Sequence, residues 1–342
     1  MLMMSKCLFL LLFVVGMACC ALVDSPISNV KNDKIHKRTS LVYYLCFMII
    51  REKINIQDDS LISGLSPLVK LMNMVLQSRD KEIIIDFSQT AFVPPVFVIS
   101  LMVFLSSCGK KIEIINLPPY LQTICFNNIV KSDDMDDGVF QALLGRYERK
   151  TYIPIVSFPA YARLSNIKDS VLTTIETLIS KQVNIPGNIL NGIKYMLGEM
   201  VDNITEHSES ERGYVFAQSY STKHYLDICI ADKGITLLGS YANAGIEVSS
   251  DIEAMQAANK GVSSKNLPDA ENRGYGIYTS KKMLIEGLQG QYMMMSGSAI
   301  YLKKREFDSI LELPGGMRWN GTIIALRIPY QNQDFQYNRY FE

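Results

Sequence analysis

Between residues 185 and 208 the chain reads IPGNILNGIKYMLGEMVDNITEHS, with apolar residues at Ile189, Ile193, Met196, Leu197, Met200 and Ile204. That spacing lays one continuous apolar stripe along a helix, and Pro186 suits a first turn because it has no N–H to satisfy. A helix with a single stripe has to bury it against another element. The segment YLDICIADKG at 225–234 supplies one: strict alternation puts Leu226, Ile228 and Ile230 on one face of a strand. The chain therefore commits to a helix docked on a sheet.

Chemistry-bearing residues sit at the margins of this pair. At about 100° per residue, Glu199 and Asn203 lie one turn apart at the border of the stripe, so both point into a cleft beside the core. The hard oxygen of Asn203 suits Mg²⁺, which keeps most of its waters and takes phosphate ligands. Glu199 suits the orientation or deprotonation of a nucleophile. A Glu and an Asn so spaced are also common on solvated helices, and alone they carry little. His207, a turn further on, reads as a cation at a helix C-terminus.

Asp232 falls on the buried face at the end of its strand, where a carboxylate needs a partner. An adenine amino group is one such partner, and Gly234 just beyond lets backbone approach a flat ring; an Asp opening a turn is the plain alternative. Residues 235–272 are polar and glycine-bearing, which suits a lid that orders over a ligand. Gly274 and Gly276 then precede a helical stretch, so their N–H groups suit phosphate, with Arg273, Lys281 or Lys282 adding positive charge. NGTIIALRIP at 320–329 reads as a terminal buried strand opened by Gly321 and Thr322.

In order and spacing, Glu199-x-x-x-Asn203, Asp232-x-Gly234, Gly274-x-Gly276 and Gly321-Thr322 resemble the N, G1, G2 and final-strand motifs of the GHKL superfamily of ATP-binding domains. GEMVDNITEHS and RGYGIYTSKKML resemble its anti-sigma-factor and sensor-kinase branches. The resemblance covers residues 149–332. It implies an α+β fold, a two-layer sandwich of a mixed sheet with helices on one face, and Mg-ATP as ligand. By the same resemblance Glu199 is the general base and Asn203 the Mg²⁺ ligand, while Asp232 reads adenine. Gly234, Arg273, Gly274, Gly276, Lys281 and Thr322 complete the nucleotide contacts. The family commonly carries a second glycine two residues after Gly234, where this chain has Thr236; that implies a stiffer entry to the lid.

Upstream, KEIIIDFS at 81–88 and KKIEIIN at 110–116 read as short buried strands. VFVISLMVFLSSCG between them reads as an apolar helix closed by Gly109, and 61–78 as a further helix. This order over residues 51–148 resembles the STAS-like domains that accompany anti-sigma-type kinases. In antagonist members of that family a phosphorylatable serine opens the helix after the first such strand. Pro94 and Pro95 occupy the region here, so a packing or dimerisation domain is expected, with a homodimer as one form.

At 342 residues the chain is long enough for two domains behind a leader. Its 34 basic residues balance 34 acidic ones, so nucleic acid is not an expected partner; the resemblance implies a regulatory or phosphoaccepting protein instead. Residues 7–23 form an apolar run that reads as a signal-peptide core or a membrane anchor, placed in a leader at 1–50. Export would conflict with ATP chemistry, so the expectation is a cytoplasmic protein, tethered or not through 7–23, with 333–342 as a tail. Three histidines, His36, His207 and His224, leave no phosphoacceptor between residues 37 and 206. Two readings stay open: a serine/threonine kinase or ATPase of the anti-sigma type, and a nucleotide-gated interaction module without turnover.

Overall fold

The computed structural model describes residues 48–50, 60–134, 136–160, 165–262, 276–332 and 334–340. It is a mixed α+β structure built on two sheets. The smaller is parallel, in the order β1 (Met48–Ile50), β2 (Glu82–Asp86), β3 (Lys111–Ile115), with helices α1 (Leu65–Gln77) and α2 (Pro95–Ser107). β1 lies inside the stretch assigned above to a leader. Ile50, fully buried, pairs with Ile85 in the isoleucine run of β2, and that pairing holds the segment in the sheet. The apolar run at 7–23 lies outside the described residues, among which no helix is long and apolar enough to cross a membrane.

Short helices α3 (Pro119–Thr123) and α4 (Asp137–Gly145) lead into the larger sheet. Its order is β10-β9-β8-β11-β7-β6-β5-β4. The strands are β4 (Val130–Lys131), β5 (Val156–Pro159), β6 (Arg212–Tyr220), β7 (Tyr225–Asp232), β8 (Gln291–Gly297), β9 (Ala299–Lys304), β10 (Phe307–Glu312) and β11 (Trp319–Pro329). All pairs are antiparallel except β4 with β5. The last strand, β11, runs through the middle between β7 and β8. Helices α5 (Ser165–Gln182) and α6 (Gly187–His207) pack on one face, and the predicted stripe of α6 is buried along its length.

The expectation of helices on one face only needs correcting. Val215 and Ala217 of β6 register with Ile230 and Ile228 on the α6 side, which turns Gln218 and Tyr220 the other way. There Gln218 accepts a hydrogen bond from Tyr120 at 3.1 Å, and Phe92 meets the Tyr220 ring edge-on. α2 packs on β6, β7 and β11. Pro94 caps this helix, Pro95 occupies its first turn, and residues 95–104 are all buried. A helix apolar all round has to be covered all round. α1 and the large sheet both pack on it, and the two sheets share one hydrophobic core.

Two further segments depart from expectation. Within the polar stretch at 235–272, α7 (Leu237–Asn243) and α8 (Asp251–Asn259) form a small cluster of their own around Tyr241, Ala254 and Ala258. The tail is docked: Phe335 is buried, Asn188 at the start of α6 donates to its carbonyl, and Gly192 leaves room for its ring.

On the face that α2 covers, Arg327 of β11 holds Asp227 of β7 with two bonds of 2.8 Å, and Tyr225 stacks 4.0 Å from the guanidinium. Both side chains are almost fully buried. Removing one partner strands a buried charge, whereas removing both does not. Asp227→Ala is therefore expected to lower the unfolding free energy by about 3–5 kcal/mol, and Asp227→Leu with Arg327→Met to recover most of the loss. Equal losses in urea denaturation of the single and double variants would contradict this.

Candidate functional site

A cavity of about 230 Å³ opens between α6, the end of β7, and the pair α7 and α8. Its floor is the α6-facing side of the sheet, with Ile230, Met294 and Ile324, and its opposite wall is Leu237, Tyr241 and Ala258. Five residues singled out in the sequence line it together: Glu199, Asn203, Asp232, Gly276 and Thr322. Gly276 opens helix α9 (Gly276–Lys282).

Asp232 is 2 % exposed. Its Oδ1 accepts from the Gly234 N–H at 2.8 Å and its Oδ2 from the Thr322 N–H at 3.2 Å. Burial pushes its pKa up to about 7, although both backbone bonds favour the carboxylate. The close approach of β11 depends on Gly321, whose φ is +84° and whose Cβ, were there one, would lie 2.5 Å from Asp232 Oδ1. Thr322 turns its hydroxyl to Ser296 Oγ, 3.1 Å away, and Ser296 in turn accepts from the Leu237 N–H at 3.0 Å. The buried serine thus ties the start of α7 to the sheet beside Asp232.

On α6, the Asn203 side-chain nitrogen donates to the Glu199 carbonyl at 2.7 Å, which leaves Oδ1 as the acceptor for the cavity. The Glu199 carboxylate lies against Gly276, so close that a Cβ there would be 1.8 Å from Oε2. A side chain at Gly276 would displace the Glu199 carboxylate. Thr236 caps α7, its hydroxyl accepting from the Gly239 N–H at 3.3 Å.

Two expected contacts are placed otherwise. Gly234 passes under the turn after α6, where a Cβ would meet Ser208 O at 1.7 Å, so it admits backbone rather than a ring and acts through its bond to Asp232. Lys281 points away from the cavity: Nζ donates to Asn259 O and Oδ1 at 2.9 and 3.1 Å, capping the end of α8 between the rings of Tyr278 and Tyr301. Burial draws its pKa down to about 8, with Asp308 opposing and Lys303 adding to the shift. Arg273 and Gly274 lie outside the described residues. Conversely, His207 lines the cavity instead of only ending α6, a position its i+4 spacing from Asn203 could have signalled. Tyr241 lines it too, and nothing in its polar neighbourhood announced a buried ring.

No cluster of three or more His, Cys, Asp and Glu able to hold a metal exists among the described residues.

The Asp232 shift has a stability consequence. Its folded pKa, about 7, stands above the ordinary aspartate value of 3.8. The native state therefore holds an extra proton between those values, and stability falls as pH rises through that window by up to about 1.4 kcal/mol per pH unit. Across it, unfolding free energies of the parent should lose ground steadily to those of Asp232→Asn. A constant difference between the two proteins from pH 4 to 8 would sink the assignment.

Neither a protein-family model nor a curated protein matches this chain.

Proposed function

We propose that the cavity binds Mg-ATP and that the chain is a regulatory protein of the GHKL type, with an STAS-like layer at its N-terminal end. The observation that carries this reading is the convergence of Glu199, Asn203, Asp232, Gly276 and Thr322, four separate stretches of sequence, on one cavity. The buried Asp232 carboxylate is held by two N–H donors and answers a ligand that donates, as an exocyclic amino group does. The apolar floor and the Leu237 wall suit the faces of a flat ring. Asn203 would hold Mg²⁺ together with phosphate oxygens, and the bound cation would neutralise phosphate charge. Glu199 is the group suited to take a proton from an attacking hydroxyl or water.

The transfer reading is an anti-sigma-like serine/threonine kinase or an ATPase acting on a protein partner inside the cell. Thr236 favours a second reading, a nucleotide-gated interaction module without turnover, because a capped helix start replaces a flexible lid entry.

Calorimetry on the full chain tests the reading. Mg-ATP should bind at least about tenfold more tightly than Mg-GTP, since loss of the amino donor leaves Asp232 buried and unanswered. Affinity should rise with pH through about 7, where Asp232 ionises, and this dependence should vanish in Asp232→Asn. Asn203→Ala should remove the Mg²⁺ dependence. Label passing from ATP to a protein and lost in Glu199→Ala marks the kinase, whereas retention without transfer marks the module. Unchanged ATP affinity in Asp232→Asn would refute the adenine assignment.

A further inference from the structure

The two helices that wall the cavity opposite the sheet, α7 and α8, need little from the rest of the chain to form. Thr236 caps the first and Ser250 the second, its Oγ accepting from the Glu253 N–H at 3.2 Å, while Glu253 reaches back to the Ser249 N–H at 2.7 Å. The Tyr241 hydroxyl joins the pair, donating at 2.8 Å to the carbonyl of Val262, just past the end of α8. Tyr241, Ala254 and Ala258 pack on one another, whereas Met255 packs into the main core. Besides that apolar anchor, each of the four helix ends is tied to a different part of the body. The first residue of α7, Leu237, donates its N–H to Ser296 of β8 at 3.0 Å, and the last, Asn243, donates to Glu209 in the turn after α6 at 2.7 Å. The last residue of α8, Asn259, accepts from Lys281 of α9 through both its oxygens. The first residue of α8, Asp251, carries a charged tie.

An aspartate in a first helical turn ordinarily serves the free N–H groups of its own helix. Ser250 has taken that task, and the Asp251 carboxylate turns to the sheet instead. Its Oδ2 accepts from the Ser298 N–H in the β8–β9 turn at 2.9 Å, and Arg318, just before β11, grips both oxygens at 2.8 and 3.1 Å. The carboxylate is 1 % exposed and the arginine 54 %, so the acid is built in while its partner stays open to solvent. Gly297 makes room for it: its φ is +59°, and a Cβ there would lie 2.1 Å from Asp251 Oδ1. We infer that α7 and α8 form a wall docked on the sheet before any ligand arrives, and that Asp251 is the positioning residue that holds its α8 edge. Leu237, Tyr241 and Ala258 are then a ready face of the cavity, and do not order over what enters. The docking stands on these contacts; its use in binding rests on the nucleotide reading above.

The test reads amide hydrogen exchange along the full chain, with and without Mg-ATP, in the parent, in Arg318→Gln, in Asp251→Ala and in the double variant. In the ligand-free parent the hydrogen-bonded amides of 237–259 should already be protected, and Mg-ATP should slow them no more than it slows those of α6. Arg318→Gln, which leaves the apolar contacts of the wall intact, should raise exchange in 251–259 about tenfold or more while α5 and the small sheet keep parental rates. The double variant should be no worse than Asp251→Ala, because both changes cut one tie. Bound Mg-ATP should draw the Arg318→Gln rates back toward those of the parent, since the ligand joins wall to sheet. Amides of 237–259 that exchange freely until Mg-ATP is added overturn the docked wall. Parental rates in α8 of Arg318→Gln, a rise spread evenly over the chain, or binding without that recovery overturn the role of Asp251. A parent that fails to bind Mg-ATP overturns the nucleotide reading instead, and exchange in the ligand-free chain still decides the wall.

Discussion

Asp232 sits at the end of a buried strand with its two oxygens held by the N–H groups of Gly234 and Thr322. A carboxylate in that position is costly to keep. Every feature around it serves either to offset the cost or to bring backbone near enough to do so. Gly321 adopts φ +84° so that β11 can close on it, Gly234 threads beneath Ser208, and Ser296 ties α7 to the same corner. An apolar side chain could fill the space with none of these provisions. The provisions make sense if the carboxylate is there to meet something that enters the cavity.

The sheet that presents Asp232 is supported from both sides. α6 buries its stripe on the cavity face, and α2 lies on the other, above the Asp227–Arg327 pair. β7 therefore alternates between two tasks. Its even-numbered residues share the α6 face, where Ile230 and Asp232 line the cavity, and its odd-numbered ones share the face on which α2 packs. Packing on one face thus constrains the strand that carries the site on the other.

What could be read from the sequence follows the strength of each local signal. The stripe of α6 and the alternation of β7 have direction, so they fixed Glu199, Asn203 and Asp232 on surfaces that do converge. α2 is apolar on every side, which announces burial but not which two layers it joins. α9 is a short helix in the described residues, too short for a pattern to say which way Lys281 turns. Its ammonium found the end of α8 instead of the cavity. Tyr241 is a single aromatic in a polar stretch and Phe335 one of several aromatics in a short polar tail, and only tertiary contacts bury them.

The central claim is most directly tested by a crystal structure of the full chain grown with Mg²⁺ and a non-hydrolysable ATP analogue. The account predicts the base between Leu237 and the sheet, its amino group about 3 Å from Asp232, and the phosphates beside Asn203. A nucleotide seated elsewhere, or a base that leaves Asp232 untouched, would contradict it.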